Sequence, residues 1–351
     1  MLAAGTLSSA NTVLFVRHTL IVLALVALAL LLWKIAYALL LAFGGVLFAV
    51  FLRGLAGIVA SWTHLRMRWA LVVVIVSLIA PLVAAGILVG PTLAEQLGQL
   101  GDTVSRGVER VRHYLEQAPI GAQVVEMLTG GMQNGGQLLG AVGTFFRGAA
   151  DAVIALIVVL VAGVFFAANP RLYVEGVVAL VPRNRQARAR EVLEAVGGAL
   201  WLWLVGQFVQ MLAVGVLTAI GLLIVGVPLA LALGLITGLL DFVPFIGPLV
   251  AAIPILLVAL TADFQTLLYA GLVFIAVQQI ENNLLTPIVQ RWAVSLPPVL
   301  VLVATIAFAL LFGLIGAIFA TPLLVVVMVC VKMLYMEDVL GERVDVPGTR
   351  G

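Results

Sequence analysis

The chain has 351 residues, 64% of them hydrophobic and 10% charged, and its mean hydropathy is +1.26. A soluble domain carries about 25% charged and about 45–50% apolar residues. The composition therefore excludes a soluble globular protein and requires a polytopic integral membrane protein. The formal net charge of +2 is small and the charges are segregated by loop, which lends no support to a nucleic-acid partner.

A crossing needs about 20 largely apolar residues. On that ruler the first half predicts spans at 20–32, 35–52, 69–89 and 152–168, and 200–225 follows as a fifth. The first two are short and separated by Trp33 and Lys34, which predicts a tight helical hairpin. Arg17 and His18 precede the first apolar run, but more spans follow it, so it reads as an uncleaved transmembrane helix. Arginine in short loops sets orientation. Arg17, then Arg53, Arg66 and Arg68, then Arg171, Arg183, Arg185, Arg188 and Arg190 alternate correctly if all three regions are cytoplasmic. The loop after the third span is then external.

That external segment, 91–150, is the one stretch that looks soluble. Leu93, Leu97, Leu100, Val104, Val108, Val111 and Leu115 recur at steps of three and four, an amphipathic helix with a coiled-coil-like seam. The seam must be covered, either by its own chain or by other subunits. After Pro182 a short basic helix, Arg183 to Val196, is expected. Its arginines serve as topogenic charge or as partners of anionic lipid.

Beyond residue 226 the apolar character is nearly continuous to Met333, broken near 226–228, 241–248, 261–265, 281–287 and 295–298. The five pieces between, roughly 228–240, 245–260, 266–280, 299–312 and 314–334, include several too short to cross alone, so re-entrant hairpins or kinked spans are expected. Two of the breaks carry acids. Asp241 lies in Gly238-Leu-Leu-Asp-Phe-Val-Pro-Phe-Ile-Gly-Pro248, and Glu281 in Gln278-Gln-Ile-Glu-Asn-Asn-Leu-Leu-Thr-Pro287. A carboxylate at membrane depth costs several kcal/mol on the order of insertion scales. It is retained where it faces a cavity, a pathway or another polar group, or where it sits at a helix end in the interface.

Cys330 is the single cysteine, so no intrachain disulfide forms, and His18, His64 and His113 have no metal-ligand spacing. No P-loop, Gly-x-Ser-x-Gly or dinucleotide fingerprint occurs. No cofactor, metal or enzymatic activity is expected.

From about 197 to 334 the chain resembles the AI-2E transporter family, bacterial permeases named after export of autoinducer-2. The resemblance rests on Gly206-Gln207, Gly226-Val-Pro228, Leu240-Asp-Phe-Val-Pro-Phe-Ile-Gly-Pro248, Ile280-Glu-Asn-Asn-Leu-Leu-Thr-Pro287, Leu296-Pro-Pro-Val and Gly313-Leu-Ile-Gly-Ala-Ile-Phe-Ala-Thr-Pro322, in family order and spacing. It implies an all-α fold of about eight transmembrane helices, with re-entrant hairpins in the C-terminal half and an external helical segment. Also implied are a bacterial inner-membrane location, cytoplasmic termini and a homo-oligomer, a pentamer. The division expected is 1–90, three spans; 91–150, the external segment; 151–198, the fourth span and basic loop; 199–336, the transport core; and 337–351, a tail.

Carried over by position, the path residues are Gln207, Asp241, Pro244, Gly247, Pro248, Gln278, Glu281, Asn282, Asn283 and Pro287. The prolines withhold backbone donors and Gly247 permits close approach. Asn282 and Asn283 offer donors and acceptors that suit a polyol or a cation. Three functions stay open at this point: export of a small polar metabolite such as autoinducer-2, cation–proton antiport, and a structural membrane oligomer that binds a partner through its external helices.

Overall fold

A computed structural model describes residues 4–88, 90–117, 154–290, 296–342 and 344, and the described residues are helical, with short connections. Helix α1 (Ala4–Thr63) is followed by α2 (Met67–Leu88) and α3 (Gly90–Gln117). Then come α4 (Ile154–Ala168), α5 (Pro170–Ala179) and α6 (Gln186–Val225). The C-terminal half comprises α7 (Ala230–Leu240), α8 (Ile246–Ala262), α9 (Phe264–Ile280), α10 (Thr286–Gln290) and α11 (Pro298–Cys330). Among the described residues four helices are long and apolar enough to cross a membrane, or five if α4 and α5, bent by 86°, form one broken span.

The expected hairpin at residues 33–34 does not form: α1 runs unbroken for 60 residues. Hydropathy had supplied the break, but neither Trp33 nor Lys34 is a turn former and no Gly or Pro stands nearby, so helical hydrogen bonding continues. The basic stretch is likewise not a separate helix. Arg183–Arg185 forms one 3-10 turn, and Gln186 then opens a 40-residue helix that continues into the expected fifth span. The pieces 299–312 and 314–334 are joined in α11, with the kink at Gly313 (φ 64°, ψ −148°), a conformation that favours glycine. The break expected at 281–287 is a single π-helical turn, Glu281–Leu285, between α9 and α10.

Three apolar clusters hold the bundle. Leu47, Leu200, Leu204 and Val325 join α1, α6 and α11. Leu52, Ala56, Leu71 and Ala167 join α1, α2 and α4. Leu222, Leu233, Ile255, Val258 and Ala270 join α6 to α9.

Helices α7 and α8 form a hairpin. At 1.5 Å per residue the 11 residues of α7 span only about 17 Å, well short of the roughly 30 Å hydrocarbon core. Its contact with α6 is backbone to backbone: a Cβ on Gly215 would sit 3.1 Å from the Gly234 carbonyl and 3.2 Å from the Gly238 Cα. That close approach seats the hairpin tip, 241–245, against the polar face of α6.

Helix α3 lies along the hairpin. Leu100 and Val104 pack on the α7–α9 cluster, and Gly107 meets the Leu257 carbonyl. Gln96 Oε1 accepts from the Ala232 N–H, an orphan donor in the first turn of α7, at 3.0 Å. Arg110 Nη1 donates to the carbonyls of Leu260 at 2.8 Å and of Ala262 at 3.2 Å at the end of α8, where a cation is favoured. So Leu100 and Val104 of the predicted seam are covered by their own chain. Leu93 and Val108 are half-buried and Leu97 is 38% exposed, while the side chains of Val111 and Leu115 and segment 118–153 lie outside the described residues. The double substitution Gln96→Ala with Arg110→Ala should loosen both hairpin ends by about 1–2 kcal/mol. Amide exchange near Ala232 and Ala262 should rise about tenfold or more; unchanged exchange would contradict the clamp.

Candidate functional site

A cavity of about 450 Å³ opens between α6, the hairpin tip, the α9–α10 junction and α11. Helix α6 contributes Trp203, Gln207 and Gln210, residues three or four apart and so on one helical face. The tip contributes Asp241, Pro244, Phe245 and Pro248. Gln278, Glu281, Asn282 and Thr286 come from the α9–α10 junction, and Val301 and Thr321 from α11.

The tip is built by sequence. Helix α7 ends at Asp241, whose N–H donates to the Thr237 carbonyl at 3.0 Å. Pro244 cannot donate, and Phe245 is left with a positive φ of 65° before α8 begins. Gly247 donates to the Val243 carbonyl at 2.8 Å, and its missing side chain leaves room for the Leu240 carbonyl. Gln207 Nε2 donates to the backbone carbonyl of Asp241 at 2.9 Å, pinning the tip to α6. Trp203 adds an edge-on ring contact to Phe242, centroids 5.7 Å apart.

Glu281 opens the π turn, a local widening that often marks functional positions in helices. Its carboxylate accepts from Gln210 Nε2 at 3.0 Å and from Gln278 Nε2 at 2.9 Å. Asp241 and Glu281 are both buried, and both line this cavity. Asp241 Oδ2 has no hydrogen-bond partner among the described residues, and neither has the buried Thr321 Oγ1 on the same cavity. None of the described lining residues is basic. The arrangement is thus an uncompensated pair of acids ringed by amide donors, with two polar atoms left unsatisfied. It can hold a proton, a cation, or a solute rich in hydroxyl donors.

Of the residues expected on a path, Gln207, Asp241, Pro244, Pro248, Gln278, Glu281 and Asn282 line this cavity together. Gly247 stands behind the tip and shapes it. Asn283 turns away and donates to the Gln279 carbonyl and Oε1, both at 3.0 Å, and Pro287 is exposed in α10. Gln210 and Thr321 were not foreseen. The signal for Gln210 is its position three residues after Gln207 in an apolar helix; Thr321 is the residue before the helix-interior Pro322.

The family model described as AI-2E family transporter matches residues 19–336. A Bacillus subtilis (strain 168) relative named "Putative transport protein YrrI" is 32% identical over 143 residues, 41% of this chain and 40% of that protein. A second protein of that organism, YueF, carries the same description and is 29% identical over 150 residues, 43% of this chain and 41% of its own length. A similarly described Mycobacterium tuberculosis relative is 35% identical over 178 residues, 49% of this chain and 47% of that protein. The matched stretch therefore spans less than half the length of each of these relatives.

Proposed function

The chain belongs to the AI-2E transporter family, and from that premise we infer that it is a secondary transporter moving a small polar solute through the cavity at Asp241 and Glu281. The solute class that fits best is a hydroxyl-rich metabolite of the autoinducer-2 kind, carried outward. The observation that supports this reading is the facing pair of buried acids with amide donors around them and no described base to neutralise them. Two carboxylates so placed repel each other, and a shared proton relieves the repulsion. A hydroxyl-bearing solute supplies hydrogen-bond donors to the carboxylates in place of that proton, which is released to solvent.

A second reading, monovalent cation–proton antiport, is favoured by the two unsatisfied oxygens, Asp241 Oδ2 and Thr321 Oγ1, which suit a bare cation as well as a hydroxyl. The structural-oligomer reading rests on the amphipathic segment 93–115, of which Leu100 and Val104 pack within the chain while Leu97 is exposed. Around the transporter reading we place an inner-membrane location, cytoplasmic termini and a five-fold homo-oligomer, as the family resemblance implies.

Proteoliposomes with a trapped pH dye test the two readings side by side. Sodium, potassium and lithium gradients are imposed in turn, and autoinducer-2 efflux is followed in a parallel set. Efflux without cation-dependent proton movement, lost in Glu281→Gln, is the expected result. Cation-dependent flux lost in the variant would establish antiport instead. Flux of either kind unchanged in the variant would remove Glu281 from the path.

A further inference from the structure

One end of the molecule combines a sharply bent helix with a run of arginines. Helix α4 stops at Ala168, and Pro170 holds Asn169 in a non-helical conformation (φ −131°, ψ 61°). Helix α5 then leaves at 86° to α4, so a crossing α4 puts α5 close to the membrane plane. The bend is braced by Arg53 of α1, whose Nη1 donates to the Ala167 carbonyl at 2.9 Å. One side of α5 packs inward through Val178. On the other, Leu172, Gly176 and Ala179 recur at helical spacing and Leu180 continues the strip. Leu172 is 68% and Leu180 86% exposed. Trp62 and Trp69, also strongly exposed, flank the α1–α2 turn just beyond Arg53, as interfacial aromatics do.

The charge along this stretch is net positive. Between residues 170 and 194 stand Arg171, Arg183, Arg185, Arg188 and Arg190 against Glu175, Glu191 and Glu194. Arg188 is spent within the fold: it binds Glu191 at 2.8 Å, Glu337 at 2.6 Å and Asp338 at 2.9 Å, and donates to the Met333 carbonyl at 2.9 Å. Those carboxylates hold its guanidinium above its ordinary range. Arg183, Arg185 and Arg190 are exposed, with no ion-pair partner among the described residues.

We propose that α5 and the arginine turn after it form a docking surface for anionic phospholipid headgroups of the adjoining leaflet. Leu172 and Leu180 enter the acyl boundary, and Arg183, Arg185 and Arg190 reach the phosphates. The surface is independent of whichever solute the cavity carries.

The test uses the full chain in detergent, offered equal phosphatidylglycerol and phosphatidylcholine, with retained lipids counted by native mass spectrometry. The protein should retain phosphatidylglycerol preferentially, by about fivefold per engaged arginine. The preference should vanish in R183Q/R185Q/R190Q, persist in R183K/R185K/R190K, and persist in R66Q/R68Q. Glycerol 3-phosphate in large excess should not displace the lipid. Equal retention of both lipids by the unaltered protein, retained preference in the glutamine triple, or displacement by the soluble phosphate would each overturn the proposal.

Discussion

Asp241→Asn should yield a protein that is more stable than the original and does not transport. The gain follows from the facing carboxyls. Asp241 is 3% exposed, its Oδ2 has no donor, and its neighbour is another acid. An asparagine in that place removes one of the two like charges on the cavity and leaves no buried carboxylate oxygen without a donor. Relief of a buried unsatisfied oxygen is worth about 1–3 kcal/mol, so the melting midpoint should rise by a few degrees. The loss follows from the same change: the site no longer passes a proton between two acids, and a solute donor or cation meets an amide instead of a carboxylate. A contact with a charged group is worth about 1.5–3 kcal/mol, so solute affinity should fall roughly ten- to hundredfold. Glu281→Gln should also abolish transport without the stability gain. Its single amide oxygen cannot serve both Gln210 and Gln278 as the carboxylate does. Melting curves and efflux rates of the two variants together check this. An Asp241→Asn protein that transports normally would mean that the pair is structural.

Gly247→Ala should be among the most damaging single-methyl additions to the hairpin. A Cβ there collides with the Leu240 carbonyl, and both partners are backbone, so no side chain can swing away. Overpacking of this kind costs typically about 1–3 kcal/mol and occasionally more. Because Leu240 precedes Asp241 directly, the displacement moves the carboxyl and the carbonyl that Gln207 binds. The prediction is a joint loss: a lower melting midpoint, and efflux reduced even at temperatures where the variant is folded. An unchanged melting midpoint would show that the tip can shift freely.

The two acids and the proline-rich tip were legible in the sequence because a charge inside an apolar run is costly and Pro and Gly interrupt helices for stated stereochemical reasons. The kink at Gly313 was legible as a boundary for the same reason, although α11 continues through it. What hydropathy could not supply was connectivity. The dip at Trp33-Lys34 resembled a turn only because one lysine lowers the average; the backbone preferences there are helical, and α1 passes through. The periodicity of α3 showed a face that must be covered, and only the fold shows that Leu100 and Val104 are covered by the hairpin. Thr321 stood in the Gly313–Pro322 motif without a role, because a threonine in a 33-residue apolar helix carries no pattern of its own; its meaning comes from standing unpartnered on the same cavity as Asp241.

The central claim is that solute passes through this cavity, and the lone cysteine makes it directly testable. In a Cys330→Ser background, Asn282→Cys places a thiol on the cavity, while Asn283→Cys, one residue on, places it on the side facing Gln279. A membrane-impermeant thiol reagent should block efflux through the Asn282→Cys protein, and excess solute should slow the block. The same reagent should leave the Asn283→Cys protein active. Equal block of both, or block of neither with labelling confirmed by mass, would place the path elsewhere.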